Sequence, residues 1–104
     1  MERINFSYNW NNKLNCKAFT TVRLENDKFR IGDVYEIFLK GEKKENAQIV
    51  AIKPFFLHAV SETVARIDTG YSKEEFIQIV KKMYPHLDLE TKRMFLLTLI
   101  YVKP

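Results

Sequence analysis

Two stretches of this chain are too apolar to leave either face in water. Residues 46–53 carry Ala47, Ile49, Val50, Ala51 and Ile52, and residues 93–102 carry Phe95, Leu96, Leu97, Leu99, Ile100 and Tyr101. A half-exposed strand alternates apolar and polar residues, whereas runs of this kind need cover on both sides. In a chain of 104 residues, long enough for one domain, a sheet curled on itself supplies that cover. The second run is read as a long closing strand rather than a helix, because short elements flank it and aromatics enrich it.

The remaining segments fit around such a sheet. Residues 3–7 alternate, with Ile4 and Phe6 turned inward. Residues 34–40 form a further strand after the Gly32-Asp33 turn, and residues 40–45 a charged hairpin loop. Pro54 interrupts the apolar run, since proline cannot donate to a sheet ladder. Phe55 to His58 are then extended, with His58 a hydrogen-bonded structural residue. The asparagine-rich stretch 8–15 favours turns and caps, and one or two helical turns there carry Trp10 and Leu14 onto the core. Trp10 is a core anchor or, in the alternative, a stacking platform. Residues 61–67 form a short helix capped by Ser61, with Val64 and Ile67 on its buried face. A longer helix begins at Ser72, where Ser72 and Glu75 have capping-box spacing. Phe76, Ile77, Val80, Met83 and Tyr84 share its inner face, Lys81 and Lys82 complement its dipole, and Pro85 ends it. The class is α+β: a mixed sheet of five or six strands with two or three flanking helices.

Composition narrows the function classes. Apolar residues make up 46% and charged residues 29%, the balance of a folded protein rather than a disordered tail. The lone Cys16 excludes an internal disulfide and a cysteine zinc cage; it is read as a small, partly buried residue. His58 and His86 do not stand at metal spacing, so neither a metal site nor a cofactor is expected. No apolar run approaches the roughly 20 residues of a membrane helix, and the start of the chain lacks signal-peptide features, so the cytoplasm is the expected location. A net charge of +4 permits contact with phosphates, although lysine and arginine are dispersed along the chain.

The stretch richest in chemistry is Lys17-Ala18-Phe19-Thr20-Thr21-Val22-Arg23-Leu24. Its composition favours a strand. Alternation puts Phe19, Thr21 and Arg23 on one face and Ala18, Thr20 and Val22 on the other, so one threonine points inward and one outward. Later, Asp68-Thr69-Gly70-Tyr71-Ser72 opens the long helix.

The order of these motifs resembles the ASCH domains of the PUA-like superfamily: a lysine-containing segment ending in Thr-x-Arg, then Gly-Asp leading into a strand, then an acidic residue and glycine before a helix. The resemblance covers roughly residues 13–102 and implies a pseudo-barrel flanked by short helices. Its branch of small bacterial amidohydrolases implies a catalytic set of a lysine, a threonine three residues on and a glutamate before the long helix. Lys17 and Thr20 keep that spacing and Asp68 stands for the glutamate, one residue earlier and one methylene shorter, with Thr21 and Thr69 as alternatives, because Thr-x-Arg falls on Thr21-Val22-Arg23 and counting back from the helix cap reaches Thr69. Such a set would activate a hydroxyl, hold an oxyanion and shuttle a proton. The reading given first weight is a domain that binds RNA or a modified nucleotide or nucleoside, with Lys17, Thr21, Arg23, Thr69, Gly70 and Tyr71 as ligand contacts. Metal-independent deacylation of acetylcytidine-type nucleosides is the alternative, and a protein-interaction module with a vestigial cleft is the third.

Overall fold

The computed structural model describes residues 1–102. Five strands form one mixed sheet: β1 (Arg3–Phe6), β2 (Ala18–Leu24), β3 (Val34–Leu39), β4 (Glu42–Phe56) and β5 (Arg93–Tyr101). They lie in the order β1-β3-β4-β5-β2, curled into a half-barrel. All neighbours are antiparallel except β1 and β3. The α+β class and the mixed five-stranded sheet agree with expectation. The two apolar runs became β4 and β5, interior neighbours whose Ile49 and Leu99 are fully buried.

The chain closes the open side of the half-barrel with a strap. Trp10–Asn15 forms a short 3-10 segment kinked by left-handed backbone at Asn11 and Asn12. Asparagine tolerates that conformation better than most residues. Asn9 Oδ1 accepts the Leu14 amide at 2.9 Å, and Leu14 is buried. Helices α1 (Glu62–Thr69) and α2 (Lys73–Met83) follow. Ser61 caps α1 by accepting the Val64 amide, and Ser72 and Glu75 form the expected capping box.

The hydrophobic interior is in two parts. Ile4, Phe6, Leu14, Phe19, Ile37 and Leu97 belong to one, and Val22, Leu57, Ala65, Phe76, Val80 and Met94 to the other. Strand β2 serves both, with Phe19 in the first and Val22 in the second. Thr20 and Thr21 therefore stand at the seam.

Several expectations are corrected. Pro54 does not interrupt the strand: β4 runs through it to Phe56, with Pro54 opposite Phe95. Strand β3 covers β4 only as far as Gln48, so the proline lies where β4 has one neighbour and its missing donor is tolerated. The loop expected over 40–45 is a tight turn at Lys40 and Gly41, both left-handed, as a two-residue hairpin requires. His58 lies in the 3-10 turn Leu57–Ala59 and is exposed, its ring stacked on Phe56. Cys16 is exposed rather than partly buried. Helix α1 is rotated from the expected face: Ile67 is 55% exposed, whereas Ala65, Asp68 and Thr69 are buried. Helix α1 thus spends two of its three buried positions on polar side chains. On α2, Phe76 and Val80 are buried as expected, but Met83 is exposed.

The strap and the α1–α2 turn meet at Gly70. Its backbone is left-handed (φ 81°), and a Cβ there would stand 3.2 Å from Asn11 Cγ. Gly70→Ala should destabilise the fold by roughly 1–2 kcal/mol from backbone strain alone. Urea unfolding of Gly70→Ala and of Gly70→Ala/Asn11→Gly, in which glycine keeps the left-handed backbone of Asn11 but removes its side chain, should show the second variant regaining only the steric part of the loss.

Candidate functional site

Asp68, in the last turn of α1, is 4% exposed, and its Oδ1 accepts two hydrogen bonds. One comes from Lys13 Nζ at 2.9 Å, on the strap, and the other from Thr20 Oγ1 at 2.9 Å, on β2. Lys13 is itself only 6% exposed. An ammonium so deeply placed needs a charge partner, and the ion pair with Asp68 supplies it. Burial pushes the Lys13 ammonium below the ordinary lysine range, against the pull of Asp68; nearby Arg23 lowers it further.

A second polar group lies alongside. Arg23 Nε donates to Thr21 Oγ1 at 3.0 Å, and Nη2 donates to the Asn5 carbonyl oxygen at 3.0 Å. That second bond ties the two edge strands, β2 and β1, across the open side. The Phe6 ring carries both cations, with Arg23 at 4.8 Å and Lys13 at 5.7 Å from its centroid. Burial holds the Arg23 guanidinium below its usual range.

All of these residues except Thr20 line a narrow cavity of about 40 Å³, whose walls include Trp10, Lys13, Thr21, Arg23, Asp68 and Thr69. Outside it runs an aromatic rim. Tyr8 and Trp10 lie 4.7 Å apart, and Trp10 meets Tyr71 edge-on at 5.9 Å. Both tyrosines are exposed.

Of the residues singled out from sequence, Thr20, Thr21, Arg23, Asp68 and Thr69 come together here, with Gly70 and Tyr71 at the border. Thr69 lines the cavity, but its hydroxyl is committed to the turn, donating to the Ala65 carbonyl and accepting the Tyr71 amide. Lys17 is elsewhere: it is exposed and lines a different depression, with Cys16, Lys44 and Tyr101. Lys13 takes the position at the carboxylate that the resemblance gave to Lys17. Thr20 bonds Asp68 and Thr21 bonds Arg23, so each hydroxyl has a separate partner. Among the described residues no three His, Cys, Asp or Glu side chains gather to hold a metal ion, and no helix is long and apolar enough to cross a membrane.

Neither a family model nor a curated protein matches the sequence. A solved crystal structure, protein EF3133 from Enterococcus faecalis V583, of the family DUF984, has a similar fold. Its TM-score is 0.70 at 10% identity, covering 98% of this chain and 81% of that one.

Removing one partner of a buried ion pair strands the other. Lys13→Met and Asp68→Asn should each cost roughly 3–5 kcal/mol in chemical denaturation, and Lys13→Met/Asp68→Leu far less than their sum. The pH dependence has a definite sign. Folded Lys13 gives up its proton below the ordinary value of 10.5. Between the two pKa values the unfolded chain binds more protons, so this group makes stability rise with pH. Unfolding free energies measured up to pH 10.5 should show that rise in the wild type and lose it in the double variant.

Proposed function

We propose that the cleft binds a nucleobase, carried on RNA or on a modified nucleotide or nucleoside. The observation that carries this reading is the Tyr8–Trp10–Tyr71 rim, with both tyrosines exposed and Trp10 half-buried, against a cavity lined by Lys13 and Arg23. A cavity of about 40 Å³ holds a few atoms at most, since one water needs on the order of 10–15 Å³. The planar ring therefore stays outside on the aromatics, and only a polar substituent reaches Lys13 and Asp68. Base stacking on aromatic side chains and contact of arginine with carbonyl or phosphate oxygen are established recognition modes. The half-barrel fold is compatible with the ASCH resemblance, which points the same way.

One observation favours a second reading, metal-independent hydrolysis of an acylated nucleobase amine. The Thr20 hydroxyl already donates to Asp68 Oδ1, beside the Lys13 ammonium. In that reaction Thr20 Oγ1 attacks the acyl carbon and its proton passes to Asp68. Lys13 holds the oxyanion, the amine leaves with the proton from Asp68, and water then releases the acid from the threonine ester. Lys13 thus replaces Lys17 in the proposed set of Lys13, Thr20 and Asp68.

Trp10 is the single tryptophan, and its fluorescence reports on the rim. Cytidine, acetylcytidine and short RNA should quench it, and Tyr71→Ala should weaken binding by about 1–3 kcal/mol per stacked base. Absence of quenching by all three would remove the nucleobase reading and leave a protein-interaction module. Incubation with acetylcytidine separates binding from turnover. Release of acetate, lost in Thr20→Val, supports the hydrolase; bound but intact acetylcytidine supports a binding domain alone.

A further inference from the structure

The strap Trp10–Asn15 has a hollow on each side of it. Trp10 and Lys13 line the narrow cavity, whereas Leu14 and Asn15, with Cys16 and Lys17 just beyond, line an open depression of about 720 Å³. The far wall of this depression is the start of β4, where the carboxylates Glu42 and Glu45 flank Lys43 and Lys44. Tyr101 forms part of its floor and donates its hydroxyl to the Leu14 carbonyl at 2.8 Å, fixing the strap between the two hollows. Lys43 is paired with Glu36 at 3.7 Å. Lys17 and Lys44 make no ion pair among the described residues; the Lys44 ammonium only touches Asn15 Oδ1 at 3.5 Å.

Resting on the nucleobase reading, we infer that the ligand is a single-stranded nucleic acid chain rather than a free nucleoside. One base lies on the aromatic rim, and the adjoining backbone crosses the strap into the second depression. Lys17 and Lys44 then meet its phosphates. Exposed, unpaired lysines suit that role, because neutralising a phosphate releases counterions and orders little else. The volume of the depression is within the range of small-ligand sites, so it accommodates more than an isolated phosphate. A free nucleoside fills the rim and leaves the lysines unused.

Cys16 provides the test, since it is the single cysteine, exposed, and lies in the second depression alone. Its alkylation by iodoacetamide is followed with a hexanucleotide RNA, the matching DNA, or cytidine, each at a concentration that saturates the Trp10 fluorescence change. The inference expects RNA, DNA or both to slow alkylation in proportion to occupancy, while cytidine leaves the rate unchanged. It also expects Lys17→Ala and Lys44→Ala each to reduce the salt slope of oligonucleotide binding by about 1. Oligonucleotides that quench Trp10 but leave Cys16 reacting at its free rate, with unchanged salt slopes in both variants, overturn the inference and spare the nucleobase reading. If neither oligonucleotide nor cytidine changes Trp10 fluorescence, the nucleobase reading itself fails and this inference with it.

Discussion

The buried pair of Lys13 and Asp68 is the constraint on which the site depends. Two opposite charges removed from water are tolerable only when each satisfies the other, so the strap and the last turn of α1 have to arrive at the same point. The surrounding sequence serves that meeting. Left-handed Asn11 and Asn12 bend the strap so that Lys13 enters while Leu14 packs into the sheet, and Gly70 ends α1 where a side chain would strike Asn11. Thr20 adds the third element, β2, to the same carboxylate oxygen. A short strap, a helix terminus and a strand are thereby held by one side chain.

The location of that pair follows from the fold. A half-barrel of five strands leaves an open side between its first and last strands, β1 and β2. Apolar packing covers that side only in part. The sheet's own core ends near Phe19, and the core under the helices begins near Val22, so the seam falls on Thr20 and Thr21. Polar groups fill it: Lys13 and Thr20 on Asp68, and Arg23 between Thr21 and the Asn5 carbonyl. These charged groups gather where the barrel is open, outside the strand ladders, and Lys13 and Asp68 are buried there. The same groups also hold the edges together. Substitutions here therefore alter stability as well as binding, and the two have to be measured separately.

Much of the fold was legible in the sequence because it rests on local chemistry. The apolar runs that became β4 and β5, the alternation in β1, and the Ser72–Glu75 box each act within a few residues. The carboxylate and the two hydroxyls were legible as well, as members of short motifs. Lys13 was not. It lies in an asparagine-rich turn, and only the kink at Asn11 and Asn12 turns it inward. Lys17 has the more suggestive spacing to Thr20, but it precedes the first residue of β2 and faces the other hollow. The buried face of α1 departs from its periodicity for a related reason. Periodicity favours Val64 and Ile67, yet the requirement to partner Lys13 turns Asp68 inward and leaves Ile67 in solvent. Pro54 fits inside β4 because β3 stops short of it, a long-range fact that local sequence does not carry.

An NMR titration of the isotopically labelled protein with short single-stranded RNA tests the central claim most directly. The claim predicts that the largest shifts fall on the Trp10 indole, the amides of the strap, Thr20 to Arg23, and the Thr69–Tyr71 turn, with α2's outer face unmoved. Shifts centred instead on the separate groove lined by His58, Lys81 and Tyr84 would contradict it, and would place the functional surface at the opposite end of α2's sequence from the Asp68 turn.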